Sequence, residues 1–160
     1  MTRRRAWWFH GRSGNDGCWQ TDRAHPGVWL ASTRLAATWY ASGGGSVVTA
    51  ELRPASVLDL NDPDTFNSLL KRTSLSHRRS EIRRVHASGN LYLLDEGTVQ
   101  NMLVAEAFRR HSGLVMRDRT DGHSHLSLVV QNPEVLRACS VQTIPHFECS
   151  RIAKRHARQL

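Results

Sequence analysis

Apolar residues in the first third of the chain fall into short runs separated by polar or glycine-containing segments. The run Trp7–His10 is largely apolar and is followed by Gly11, and Val28–Leu30 is a second run of the same kind. Residues 47–52 alternate with a period of two, which is typical of a half-buried strand. These runs predict three strands, with a loop over Arg12–Pro26 between the first and the second.

Helix signals follow the second and third of these strands. Ser32 or Thr33 is a suitable N-cap for a helix that continues to about Tyr40. Asp62-Pro63 supplies an N-cap and a proline at the first helical position for a second helix. The clearest helix is predicted over residues 97–111. Its apolar stripe has helical spacing and consists of Val99, Met102, Leu103 and Ala107.

Strand signals return after this helix. Leu114–Met116 and Leu126–Val130 are apolar runs, and the polar segment between them contains Asp121-Gly122, a typical hairpin turn. Asn132-Pro133 begins another turn, and Gly113 suits the position just after a helix end. The order of strands, helices and strands predicts an α+β domain with a mainly antiparallel or mixed sheet, not a doubly wound α/β fold.

The composition predicts one globular domain, residues 1–160, with a large positive charge. The formal net charge is +8, and Lys71 and Lys154 are the only lysines among 22 basic residues. Because arginine suits phosphate and carboxylate groups, the charge predicts either an acidic or nucleic-acid partner or simply a solvated surface. The same alternatives apply to Arg78-Arg79 and Arg83-Arg84, and a basic tail is expected over about 147–160.

No segment of the sequence predicts a membrane anchor or a secretory signal. The longest apolar runs span a few residues, far below the roughly 18 needed to cross a bilayer, and no apolar region follows Arg3–Arg5. Cys18, Cys139 and Cys149 are irregularly spaced, which predicts reduced thiols and no metal site. We expect a cytoplasmic protein, or one delivered into a target cell without a visible signal peptide, and no membrane partner.

Two segments near the N-terminus carry a family resemblance. Phe9-His10-Gly11-Arg12-Ser13 places an aromatic residue before His-Gly, and Gly27-Val28-Trp29-Leu30-Ala31 runs on to Tyr40. Together they resemble the first two motifs of the ADP-ribosyltransferase superfamily, in its diphtheria-toxin and poly-ADP-ribose-polymerase branch. Leu58-Asp59-Leu60 and the segment 128–136 resemble later strand ends of its compact bacterial or phage members, of toxin or effector type.

The resemblance implies split mixed or antiparallel sheets with flanking helices, and a pocket for NAD as co-substrate. His10 would bind the nicotinamide ribose, and Gly11 would present its backbone to the carboxamide. Tyr40 would stack on the nicotinamide ring opposite Trp29, in agreement with the attraction of aromatic faces for a flat cation. Arg12 would pair with the pyrophosphate. The implied NAD-binding set is His10, Gly11, Arg12, Ser13, Trp29, Ala37 and Tyr40.

One position departs from the family pattern. The third motif usually supplies a glutamate before an apolar run, and Ser127 occupies this place. Asp118 and Asp121 are the nearest carboxylates in the sequence. Three interpretations stay open: an aspartate replaces the glutamate, the acceptor supplies its own carboxylate, or catalysis is lost or the alignment misplaced. The catalytic set in the first case is His10, Tyr40, Asp118 and Ser127. His123 and His125 are interpreted as solvated hairpin residues.

The resemblance implies an enzyme that transfers ADP-ribose from NAD to a macromolecular acceptor, a protein or a nucleic acid, and releases nicotinamide. An NAD glycohydrolase, which uses water as the acceptor, is the first alternative. The second is a non-catalytic module on the same fold that binds nucleic acid or protein, which agrees with the basic charge. A toxin or effector role comes from the resemblance alone, and no metal is expected.

Overall fold

The computed structural model describes residues 6–13, 19, 21, 25–41, 44–91, 94, 98–120 and 122–145. Across these residues the chain forms seven strands and four α-helices. In chain order they are β1 (Trp7–Arg12), β2 (Val28–Ala31), α1 (Arg34–Tyr40), β3 (Ser46–Leu52), β4 (Val57–Asp59), α2 (Pro63–Lys71), α3 (Arg79–Ala87), α4 (Thr98–Phe108), β5 (Gly113–Thr120), β6 (His123–Val130) and β7 (Leu136–Thr143). Ser74–Arg78 and Pro133–Val135 form 3₁₀ turns.

All seven strands belong to one mixed sheet, in the order β4-β5-β6-β2-β1-β3-β7. β4 and β5 run parallel, and the other neighbouring pairs are antiparallel. A parallel pair needs a long crossover, and α2, α3 and α4 occupy the chain between β4 and β5. The predicted α+β class with a mixed sheet is confirmed.

The sheet is narrowly joined at its centre, between β1 and β2. These strands are in register only at Phe9 and Ala31, whereas β1 pairs with β3 along its whole length. The β4-β5-β6-β2 half and the β1-β3-β7 half therefore meet at a short junction, but they form one sheet rather than the split sheets that the resemblance implies. His10 follows Phe9, so it lies beside the register pair that joins the two halves.

Each face of the sheet carries its own hydrophobic core. One face packs against the apolar sides of α2, α3 and α4. Its buried side chains include Leu60, Phe66, Leu69, Leu70, Ile82, Leu103, Leu114 and Met116. The core on the opposite face includes Trp8, Val28, Leu30, Leu128, Val130 and Leu136. Because β5 and β6 contribute to both cores, their central residues are covered from both sides.

The predicted helix starts are confirmed by their capping geometry. Thr33, rather than Ser32, caps α1, and its side chain accepts a hydrogen bond from a backbone N–H of the first turn. Asp62 caps α2 by accepting from the backbone N–H of Thr65 at 2.9 Å, with Pro63 at the start of the helix. These side chains satisfy N–H groups that a helix cannot pair internally, so the local sequence determines where each helix begins.

The last strand and the position of one glycine differ from the sequence-based expectations. β7 is an edge strand beside β3, and Leu136 is its one buried residue, so the alternation that predicts strands is absent. Gly113 begins β5 and does not follow a helix end, since α4 ends at Phe108. A Cβ at Gly113 would lie 2.4 Å from the backbone oxygen of Val129, so close strand pairing explains this glycine.

The remaining expectations concern the basic tail, the cysteines, membrane spans and the number of domains. The basic tail over about 147–160, Cys18 and Cys149 lie outside the described residues. Cys139 is exposed on β7 with a free thiol. Within the part of the chain that the structure describes, no helix is long and apolar enough to cross a membrane. The assignment of residues 1–160 to a single domain stays a prediction.

Candidate active site

His10 lies on β1, next to the register pair Phe9–Ala31 that joins β1 to β2. Its side chain is buried, and Nδ1 lies 2.7 Å from the backbone oxygen of Trp29. A carbonyl oxygen can only accept, so the neutral ring carries its proton on Nδ1 and Nε2 is an acceptor. Burial lowers the pKa of His10, the Trp29 carbonyl opposes this shift, and the charge of Arg12 adds to it. The fold therefore favours the neutral imidazole at neutral pH.

Arg12 is a buried cation at the end of β1. Its Nε donates a hydrogen bond to Ser46 Oγ at 2.6 Å, and the residue is 5% exposed. Its Nη1 is buried and has no hydrogen-bond partner among the described residues. Leaving a buried guanidinium nitrogen without an acceptor is costly, so this group is suited to an anion. Ser13, the next residue of the expected set, is exposed just beyond the strand.

Gly11 allows α1 to pack closely against β1, because it has no side chain. A Cβ at Gly11 would lie 1.8 Å from the backbone oxygen of Ala37 and 3.0 Å from Tyr40 Cβ. No side chain fits this space, so only glycine allows the helix to pack here. Ala37 is 1% exposed and belongs to a small apolar cluster with Phe9 and Val47. Both residues have a packing role, and their expected contacts with NAD stay predictions.

Tyr40 connects this part of the site with β5. The residue is 57% exposed, so much of its side chain is open to solvent at the end of α1. Partial burial raises the pKa of the Tyr40 phenol, the neighbouring Thr120 hydroxyl opposes the rise, and the negative charge of Asp118 adds to it. Tyr40 therefore lies between Gly11 on β1 and the polar end of β5.

Asp118 and Ser127 form a buried hydrogen-bonded pair on adjacent strands. Ser127 Oγ donates to Asp118 Oδ2 at 2.8 Å, and Asp118 Oδ1 accepts from the backbone N–H of Arg119 at 2.8 Å. Asp118 is opposite His125 in the β5–β6 register, two residues from Ser127, so the side chains project from the same face. The carboxylate of Asp118 thus reaches the strand position where the family pattern has its glutamate.

His125 completes this cluster, and its interpretation as a solvated hairpin residue was wrong. It is 7% exposed, and its Nε2 lies 3.4 Å from Ser127 Oγ. Ser127 has one hydroxyl proton and gives it to Asp118 at the shorter distance, and His125 Nδ1 lies 3.4 Å from the backbone oxygen of His123. His125 shares its face with Ser127 and Val129, whereas His123 is exposed at the start of β6.

Tyr40, Asp118 and Ser127 lie together on one face of the sheet, whereas the side chain of His10 projects from the opposite face, because its neighbours Phe9 and Gly11 face α1. Phe9 on β1 is opposite Ala31 on β2, and Ala31 is opposite Ser127 on β6. The backbones at Phe9 and Ser127 are therefore two strand spacings apart, about 10 Å. Tyr40 bridges this interval from α1, because its Cβ is against β1 and its phenol is near β5.

The aromatic residues around His10 differ from the expected arrangement. Trp29 Nε1 donates to the backbone oxygen of Pro26 at 3.0 Å, and the half-buried ring packs against the core beneath the helices. Its stacking on nicotinamide stays a prediction. Trp19 has its ring centroid 5.8 Å from that of His10. Sequence reasoning missed Trp19 because a lone aromatic residue in a long loop has no periodicity to indicate what it contacts.

Asp118 is the candidate carboxylate with a described position. Asp121, the alternative, lies outside the described residues. Across the described ranges, no three His, Cys, Asp or Glu side chains come together as metal ligands.

Similarity to known proteins is structural rather than in sequence. No family model matches the chain, and no curated protein matches it. A chain in the crystal structure of the M. tuberculosis MbcT–MbcA toxin–antitoxin complex is similar, with a TM-score of 0.49 and 15% sequence identity over 92% of this chain and 87% of that chain. Fold and site together define an α+β protein with a buried aspartate–serine pair and an exposed tyrosine beside a nearly divided sheet.

Proposed function

We propose that the protein is an NAD-dependent mono-ADP-ribosyltransferase that modifies a macromolecular acceptor and releases nicotinamide. The position of Tyr40 carries the proposal. Its Cβ lies against Gly11, next to His10 on β1, and its phenol is close enough to Asp118 for that carboxylate to raise its pKa. A partly exposed aromatic ring therefore lies beside a buried carboxylate, on a helix that packs against β1, the strand that carries His10.

The proposed reaction breaks the bond between the nicotinamide nitrogen and the ribose C1′. Nicotinamide leaves with the bonding electrons, positive charge develops on the ribose, and the acceptor atom adds to C1′ and loses its proton. A carboxylate fixed in a water-poor site stabilises this charge more strongly than a carboxylate in water. We assign this role to Asp118, which is 7% exposed and oriented by Ser127 and by the backbone N–H of Arg119.

Three groups on β1 and α1 have the chemistry to bind NAD. In this proposal His10, which carries its proton on the side of Trp29, uses Nε2 to accept a hydrogen bond from a ribose hydroxyl. Arg12 Nη1, which lacks a hydrogen-bond partner within the described ranges, donates to the pyrophosphate. The open face of Tyr40 stacks on the nicotinamide ring. A buried cation and an exposed aromatic ring together favour an anionic, partly aromatic ligand.

Nicotinamide release from NAD tests this assignment. The unaltered protein, Tyr40→Ala and Asp118→Asn are incubated with NAD, with and without cell lysate, and nicotinamide is quantified by chromatography. We expect release by the unaltered protein and a loss of about 100-fold or more in each variant. Leu35→Ala removes another exposed side chain from α1, and Asp64→Asn removes another carboxylate from the first turn of α2. Both controls should keep full activity.

The fate of ADP-ribose decides between the proposal and its alternatives. Release that depends on lysate, with the mass of an ADP-ribosyl group added to a macromolecule, supports transfer. Equal release without lysate, with free ADP-ribose as product, replaces the proposal with an NAD glycohydrolase. No release and no heat of binding at millimolar NAD refutes an NAD-dependent enzyme and leaves the non-catalytic module.

A further inference from the structure

A cleft of about 260 Å³ lies between α2, α3 and β5. The residues that give it chemical character are Asn61, Phe66, Asn67, Arg83, His86 and Arg117. None of them belongs to the candidate active site. Pockets for drug-sized ligands are usually about 300–1,000 Å³, so this cleft is suited to a smaller molecule.

Two guanidinium groups line the cleft, and none of the described residues that line it is a carboxylate. Arg83 Nε donates to Asn67 Oδ1 at 2.6 Å, which orients the guanidinium and leaves the Asn67 amide nitrogen as a donor. The Arg117 side chain forms no hydrogen bond or ion pair within the described part of the chain. Two cations in a concave surface attract an anion, and the one neighbouring carboxylate that a described lining residue contacts is Asp59, beside Asn61.

The turn after α3 holds Arg117 in place. Gly89 has a φ of 74°, and a Cβ there would lie 2.7 Å from Arg117 Cδ. The glycine therefore gives the aliphatic stem of Arg117 room to pack over this turn. Arg117 precedes Asp118 on β5, and successive side chains of a strand project to opposite faces. The residues that line the cleft and the Asp118–Ser127 pair have no member in common.

The cleft also contains hydrogen-bond acceptors beside a flat ring. His86 stacks on Phe66, with centroids 3.6 Å apart and planes 6° from parallel. Its Nε2 donates to the backbone oxygen of Leu60 at 2.6 Å, and burial lowers the pKa of His86, so Nδ1 is an acceptor. Asn61 Nδ2 donates to Asp59 Oδ1 at 2.8 Å, which leaves Asn61 Oδ1 as a second acceptor.

We propose that this cleft binds a small sugar phosphate, as a second site separate from the candidate active site. Arg83, Arg117 and the Asn67 amide hold the phosphate, and His86 Nδ1 and Asn61 Oδ1 accept hydrogen bonds from sugar hydroxyls. Inorganic phosphate would satisfy the donors but leave the acceptors unused. An uncharged sugar would leave the two cations without a counter-charge.

Calorimetric titration with ribose 5-phosphate tests the proposal on the full chain, with ribose and inorganic phosphate as comparison probes. We expect ribose 5-phosphate to bind more tightly than either, and to shift the NMR signals of the His86 ring. Arg117→Gln should weaken this binding about tenfold or more, because it removes a charge-assisted contact. Arg84→Gln makes the same charge change at an exposed position of α3 and should leave the affinity unchanged.

Three results would overturn the proposal. They are no binding of ribose 5-phosphate at millimolar concentration, equal affinity for inorganic phosphate, and equal weakening by Arg84→Gln. Arg117→Gln removes no hydrogen bond within the described residues, so the variant is expected to fold, and its thermal unfolding checks this. Because the titration needs no NAD, its outcome is independent of the enzymatic proposal.

Discussion

Replacing Gly11 by alanine should push α1 away from β1 and displace Tyr40. The new Cβ would lie 1.8 Å from the backbone oxygen of Ala37, whereas a carbon and a carbonyl oxygen in contact are about 3.3 Å apart. A backbone oxygen cannot rotate aside as the end of a flexible side chain can. The helix must therefore move by about 1.5 Å, the difference between these two distances.

The free-energy cost follows from what holds α1 in place. The helix region buries the methyl groups of Ala36, Ala37 and Ala41 in a small cluster with Val47. At about 0.8 kcal/mol for each buried carbon, these three contribute about 2.4 kcal/mol. Partial loss of this contact agrees with the usual overpacking penalty of about 1–3 kcal/mol. For a domain of this size, that lowers the Tm by about 2–12 °C.

Denaturant unfolding and nicotinamide release measure the two consequences of Gly11→Ala. We expect a lower unfolding midpoint with an unchanged slope, and reduced NAD turnover below the Tm because Tyr40 moves relative to Asp118. Gly122→Ala is the matched control. Nothing lies within 4 Å of a Cβ there, so it adds backbone strain at a φ of 76° but no clash, and turnover should be kept. A Gly11→Ala protein with the original midpoint and turnover would contradict the close contact of α1 with β1.

Three further changes probe the buried polar groups and the core. Ser127→Ala should lower the free energy of unfolding by about 1–3 kcal/mol in urea, because Asp118 Oδ2 loses its donor. A double-mutant cycle with Asp118→Ala should give a coupling of about 0.5–3 kcal/mol, and strict additivity would exclude the pair. Phe66→Ala should lower the free energy of unfolding by about 3–5 kcal/mol in the same assay, because Phe66 is 2% exposed and stacks on His86. A decrease below about 1 kcal/mol would show that the stacked pair is not part of the core. The pKa values of His10 and His86 are lowered from 6.5 in the folded state, so below this pH the unfolded chain binds more protons. Stability should therefore fall as the pH drops from above 6.5 through the lowered values, and the double variant His10→Gln, His86→Gln should show a flatter pH dependence in urea unfolding. An equally steep dependence would contradict the burial of these two rings.

Elements whose signals are local were predictable from the sequence. The caps at Thr33 and Asp62 act within one helical turn, and the alternation of residues 47–52 reports one strand with one buried face. β7 was not predictable in this way. Its position depends on pairing with β3, and its side chains are nearly all exposed, so no periodic pattern marks it.

The geometry of the candidate site depends on the pairing register of β5 and β6, which the sequence indicates only in part. The turn at Asp121-Gly122 predicted a hairpin, but the pairing of Thr120 with His123 is what places Asp118 opposite His125. From the sequence, Asp118 was the preferred carboxylate, and Asp121 stayed open as an alternative. The burial of His125 also depends on tertiary packing, because residues 127–130 are buried on both faces and hide the alternation that begins at His125.

Nicotinamide release by Asp118→Asn, compared with Asp64→Asn, tests the central claim most directly. Both variants remove one negative charge, but Asp118 is hydrogen-bonded to Ser127 beside Tyr40, and Asp64 is exposed on α2. We predict that Asp118→Asn loses about 100-fold or more of the NAD-dependent release and that Asp64→Asn keeps it. Equal release by the two variants would contradict the assignment of Asp118 as the carboxylate of the site.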